Sequence, residues 1–99
     1  MEDQFTFPGA RLVEYPDSFP RMQWVFDIPE IFSPTAKFFD VDGLPVVWDI
    51  EGSPPIPLLP TKGGTLVSSP GLGTSVLNEG VVIDEATFRQ MINAGPRLV

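Results

Sequence analysis

The chain has 99 residues, a formal net charge of −7, and neither cysteine nor histidine. Missing Cys and His exclude disulfides, thiolate chemistry and imidazole catalysis or ligation. The acidity argues against a nucleic-acid partner, whose phosphates need clustered Lys and Arg.

The six basic residues (Arg11, Arg21, Lys37, Lys62, Arg89, Arg97) are scattered along the chain. Charged residues make up 19%, below the roughly 25% of typical soluble domains. Proline and glycine number 12 and 9, or 21 together, short of the fraction that marks low-complexity disorder. One domain with one modest core is the expectation for this length. The chain opens Met1-Glu2-Asp3-Gln4, acidic where a signal peptide needs a basic start. No apolar run approaches the roughly 18–20 residues that span a bilayer. Synthesis in the cytoplasm, no signal peptide and no membrane partner are expected.

Ten of the eleven aromatics fall within residues 1–48, the exception being Phe88. The core is therefore expected mainly from the first half. In chain order, Phe5-Thr6-Phe7-Pro8-Gly9 could pair with a strand over Arg11–Tyr15, although Pro-Gly prefers a turn that splays strands. Pro16 stops that strand. Met22–Ile28 reads as a second strand with Trp24, Phe26 and Ile28 inward. Pro29 ends it, and Pro34 keeps Ile31-Phe32-Ser33 from becoming a helix.

Three segments repeat an aromatic–Asp–aliphatic pattern: Phe26-Asp27-Ile28, Phe39-Asp40-Val41 and Trp48-Asp49-Ile50. Period-2 alternation would put the apolar members inward and the aspartates in water. Asp42-Gly43 between two alternating runs predicts a hairpin with a two-residue type I′ turn. Val41 then opposes Leu44, Phe39 opposes Val46, and Lys37 opposes Trp48. Phe39, Val41, Leu44, Val46, Trp48 and Ile50 share the expected core face. Phe38, Asp40, Val47, Asp49 and Glu51 share the expected wet face. Pro45 cannot donate to a ladder, so a strand start or a free edge is expected there.

Between Gly52 and Asn78 the only charged residue is Lys62. Pro54, Pro55, Pro57, Pro60 and Pro70 favour extended polyproline geometry, and Gly63-Gly64 and Gly71-Leu72-Gly73 resemble flexible joints. Thr65-Leu66-Val67 and Ser75-Val76-Leu77 could each form a short strand. The last block is plainer. Val81-Val82-Ile83 is strand-like, Asp84 is a helix N-cap, Ile83 and Phe88 could staple the first turn, and Gly95-Pro96 is a stop. Phe88, Met91 and Ile92 share one face of the short helix between. A helix of about ten residues needs the sheet to hold it.

Each candidate site has a plainer explanation. Asp40-Val41-Asp42-Gly43 matches the start of a calcium loop, with Glu51 at the twelfth position, but Leu44 and Val46 occupy ligand positions and the hairpin explains Asp-Gly better. Asp27, Glu30, Asp49 and Glu51 are candidate acid–base groups only by being acidic. Pro57-Leu58-Leu59-Pro60-Thr61-Lys62 fits P-x-x-P-x-basic, an SH3-type ligand pattern; a spacer or a strand laid on a neighbour is the plainer reading. Trp24 and Trp48 could form a stacking platform, though inward strand positions favour core packing. Phe38 and Val47 form an apolar pair on the expected wet face, suited to an interface or to a place beneath the C-terminal helix.

The expected fold is α+β and β-rich: a β core over residues 1–51, an uncharged extended arm over 52–78, then strand plus one short helix over 79–99. No enzyme activity, cofactor or metal is expected. The expected role is a structural or interaction protein of a larger assembly, such as a virion part that decorates, cements or connects subunits, bound to protein subunits rather than nucleic acid. The expected interface is Pro57, Leu58, Leu59, Pro60, Leu66, Val67 and Leu72 of the arm, with Phe38 and Val47. The alternative is a monomeric acidic module or inhibitor that engages a basic protein.

Overall fold

Local turn chemistry sets the middle of the molecule. The computed structural model describes residues 5–17, 21–61 and 63–94. Its strands are β1 (Arg11–Glu14), β2 (Met22–Asp27), β3 (Lys37–Val41), β4 (Leu44–Trp48), β5 (Leu58–Pro60), β6 (Thr65–Ser68) and β7 (Val81–Ile83). A 3₁₀ turn (Pro70–Leu72) leads into α1 (Gly73–Glu79), and α2 (Glu85–Asn93) follows β7. Asp42 and Gly43 both have positive φ, 55° and 87°, as a type I′ turn requires. The Asp40 carboxylate accepts from the Gly43 N–H at 2.7 Å. Val41 opposes Leu44, Phe39 opposes Val46 and Lys37 opposes Trp48, the register expected from the turn.

All strand pairs are antiparallel, and the sheet order is β1-β2-β6-β5-β4-β3-β7. The segment expected as an extended arm supplies β5 and β6, which lie in the middle of this sheet. Its low charge reflects burial within the chain itself. β4 starts at Leu44, one residue before Pro45 and close to the expected strand start; the expected free edge is not found, because Pro45 is buried in an interior strand. The β4–β5 ladder holds one register pair, Val47 with Leu58. Continued by two residues, that register sets Pro45 against Pro60, and neither has an N–H to give. The prolines end the ladder without leaving a buried donor unpaired.

Both faces of the β3–β4 hairpin are covered, α1 lying over one and α2 over the other, so the expected division into a core face and a wet face is wrong. The expected wet face holds the larger core. Phe38 and Val47 join Phe7, Phe26, Phe32, Leu58, Leu66 and Phe88 there. Phe32 meets Phe88 edge-on at 5.8 Å between centroids and Phe38 at 5.0 Å. Full burial of one such ring is worth about 2–3 kcal/mol. On the other face Val41 and Val46 pack against Val76 of α1, with Phe39, Leu44, Trp48, Leu59 and Leu72 around them. Asp49 is buried on the first face, whereas Ile50, expected inward, is exposed. Trp24, also expected inward, is 40% exposed. Trp48 is half-buried, and its indole N–H donates to the Pro55 carbonyl at 3.2 Å.

The N-terminal segment does not pair with β1. Its Pro8 carbonyl accepts from Asp27 of β2 at 2.8 Å, and Thr6 donates to Ser53 at 2.6 Å. The Ser53–Pro54 peptide is cis.

Two helices are present among the described residues, not one. Residues 75–77, expected as a strand, lie in α1. Gly73-Thr74-Ser75-Val76 has weak helix propensity, and α1 has no side-chain cap. Burial of Val76 at 3% exposure holds it in place, so packing overrides propensity. α2 begins as expected: the Asp84 carboxylate accepts from the Thr87 N–H at 2.8 Å. Hydrogen bonds from the Thr87 side chain and from its backbone N–H hold the Asp84 carboxyl below its ordinary range. Phe88 carries α2 into the larger core, beside Ile83. The expected Gly95-Pro96 stop lies outside the described residues.

Candidate interaction surface

The residues expected to meet a partner are largely spent inside the chain. Phe38, Val47, Leu58, Leu66 and Val67 are buried, as are Pro57 and Pro60. Leu59 and Leu72 pack around the second core cluster. Two covered sheet faces consume the apolar surface that the sequence pattern assigned to an interface. Pro57 and Pro60 cannot enter an SH3 groove from there, and Lys62 of that motif lies outside the described residues.

Among the described residues, six of the eight large exposed apolar groups sit toward the two ends of the sheet; the other two, Ile31 and Ile50, lie in the loops after β2 and β4. At the β1 end, Leu12 is 51%, Met22 45% and Trp24 40% exposed. Leu12 stands directly opposite Trp24, and the Trp24 ring lies 5.2 Å from Phe5 and 6.5 Å from Phe26. The Leu12 and Trp24 side chains continue the larger core's face outward, beyond the reach of α2, whose nine residues lie over β3 and β4. At the opposite end, Val81, Val82 and Leu77 are exposed. Sequence reasoning missed this set. Placing Leu12 and Trp24 on one face, with only one short helix to cover that face, would have pointed to it.

The backbone of β1 is open as well. The Tyr15 N–H donates to the Arg21 carbonyl at 2.6 Å, which makes those two a hydrogen-bonded pair in the β1–β2 register. Hydrogen-bonded and non-bonded pairs alternate along an antiparallel ladder. Leu12 and Glu14 therefore point their N–H and C=O groups away from β2, and among the described residues no strand takes them up.

The two ends differ in charge. Around β1 each cation has an anion: Arg11 lies 3.3 Å from Asp27, and Arg21 lies 3.8 Å from Glu14. Beside β7, Asp40, Asp42 and Glu79 line a depression of about 310 Å³ with Gly43 and Val81. Among the described residues, no cation pairs with those three carboxylates. Among the described residues, too, no three or more His, Cys, Asp or Glu side chains come together as a metal site, and no helix is long and apolar enough to cross a membrane. Asp40 serves the hairpin turn through Gly43, which is how the calcium-like motif is used.

Of the candidate acid–base groups, Asp27, Glu30 and Glu51 are exposed, while Asp49 is 1% exposed. Thr35 Oγ1 donates to Asp49 Oδ1 at 2.6 Å, and Asp49 Oδ2 has no hydrogen-bond partner among the described residues. The space beside it is closed by Gly52, where a Cβ would come within 2.5 Å of Thr6 Oγ1 and 2.6 Å of Asp49 Oδ2. A carboxylate enclosed in this way is out of reach of a substrate; it fastens the loop after β4 to the segment around Thr35.

Comparison with family models, with curated proteins and with solved structures finds no match to this chain.

Proposed function

We propose that this protein is a non-catalytic subunit of a protein assembly, joined to further copies through the open ends of its sheet. The observation that carries this reading is the pair of exposed apolar sheet ends, Leu12 and Trp24 at one and Val81 and Val82 at the other. Exposed sheet edges are templates for pairing, and isolated proteins usually blunt them with charge, proline or a bulge. β7 is short, at three residues, but carries no charge, proline or bulge, and its Val82 is 73% exposed; β1 carries charge only at its two ends, Arg11 and Glu14. A small virion part that decorates or joins shell subunits is one setting for such a subunit.

The test is absolute mass by size-exclusion chromatography with light scattering on the untagged chain across a wide concentration range. The expected result is a species at a multiple of 10.9 kDa. A monomer of that mass at every concentration overturns self-assembly. It would shift weight to a second reading favoured by the Asp40, Asp42 and Glu79 depression, in which the acidic end docks a basic protein.

A further inference from the structure

We infer that the first contact between copies is β1 against β1 of a second copy, related by a two-fold axis through Leu12. This inference rests on the assembly reading and assigns its interface.

Three observations converge on the β1 edge. The first is hydrogen bonding. Leu12 and Glu14 direct their backbone groups outward, and an antiparallel strand laid there satisfies them without altering the fold. The second is the apolar row. A two-fold perpendicular to the sheet keeps each face continuous across the junction. The row Trp24–Leu12 then runs on into Leu12 and Trp24 of the second copy, and cross-strand apolar pairs of this kind stabilise a sheet. The third is charge. Pairing β7 with β7 would bring two sets of Asp40, Asp42 and Glu79 together, whereas the β1 end carries Arg11–Asp27 and Arg21–Glu14 already matched.

Backbone direction and charge also select the register. Only residues whose backbone groups point outward can form the hydrogen-bonded pairs. With Leu12 on the axis, Leu12 meets Leu12 and Glu14 meets Ala10. With Glu14 on the axis, like charges would stand directly opposite, which is unfavourable. With Val13 on the axis, Leu12 would face Glu14, apolar against charged.

The absence of cysteine from the chain makes the test clean. Leu12→Cys places two thiols across the axis, within the Cα separation of about 4.4–6.8 Å that a disulfide tolerates. Under mild oxidation the expected result is conversion of most of the L12C chain to a covalent dimer on a non-reducing gel. Val82→Cys, at a position more exposed than Leu12 (73% against 51%) on the other edge, is the control and is expected to remain at least tenfold less cross-linked. Hydrogen exchange on the unmodified chain supplies the second readout: the Leu12 and Glu14 amides become protected as concentration rises, and the Val82 amide does not. An oligomer in which V82C cross-links in place of L12C, or in which the β1 amides stay unprotected, overturns the β1 junction and leaves the assembly reading standing. A monomer at all concentrations overturns both.

Discussion

Replacing Thr35 should cost more stability than replacing the carboxylate it serves. Asp49 is almost fully enclosed, one oxygen takes a 2.6 Å hydrogen bond from Thr35 Oγ1, and the other has no partner among the described residues. A hydrogen bond to a charged group contributes about 1.5–3 kcal/mol, and a buried polar group left without its partner costs about 1–3 kcal/mol. Thr35→Val removes the donor, keeps the volume, and leaves both oxygens of a buried carboxylate unserved, so the expected loss is about 2–3 kcal/mol. Asp49→Asn keeps an acceptor for Thr35 and removes the charge from an enclosed site, so the expected loss is below about 1 kcal/mol. Against a total stability of about 5–15 kcal/mol, the first change is large and the second small. Urea unfolding followed by the fluorescence of Trp24 and Trp48 reads both, and T35V should lower the midpoint by about 1–2 M. Should D49N prove the more damaging variant, a net stabilising role of the charge itself would be established and the desolvation reasoning refuted.

Substitutions at two further positions probe the α2 end. Phe88→Ala empties a fully buried ring site that touches Phe32 and Phe38; it should cost about 3–5 kcal/mol, read in the same denaturation experiment together with a loss of helical ellipticity. Asp84 caps α2 with a carboxyl whose folded-state pKa lies below the ordinary 3.8. Its stabilisation is therefore fully present above the unfolded pKa and lost as pH falls through the lower folded value. Asp84→Asn should flatten that part of the acid limb of a stability–pH profile while leaving α2 formed, whereas Asp84→Ala should weaken the helix at neutral pH as well.

The elements whose signals are local were legible in the sequence. Asp42-Gly43 fixed its hairpin through the backbone geometry that only a few residues accept. Val81–Ile83 followed by Asp84 announced a strand and a capped helix. The middle of the sheet was not legible. Leu58-Leu59-Pro60 resembles a spacer because Pro60 lacks a donor, yet the register sets it against Pro45 across the β4–β5 seam, where no donor is missed. The two faces of β3 and β4 were interchanged in importance because alternation identifies which residues share a side and is silent on which side is covered. Here α1 covers one and α2 the other. α1 itself, opening Gly-Thr-Ser-Val, has no intrinsic signature and exists through Val76. The exposed row Leu12–Trp24 escaped notice for a related reason: its residues have core character, and only the reach of α2 shows that they lie beyond the cover.

The proline-against-proline step between β4 and β5 has a mechanical consequence. It divides the hydrogen-bonded network into two plates, β1-β2-β6-β5 and β4-β3-β7, riveted along one line by Val47 and Leu58 and otherwise held by the side chains above and below. Such a seam is compliant: the plates can change their mutual twist by flexing side-chain packing while breaking few backbone bonds. A neighbour that extends the first plate at β1 stiffens that plate and leaves the acidic plate free to adjust its pitch. Copies joined there could accommodate a range of curvatures without rebuilding the junction.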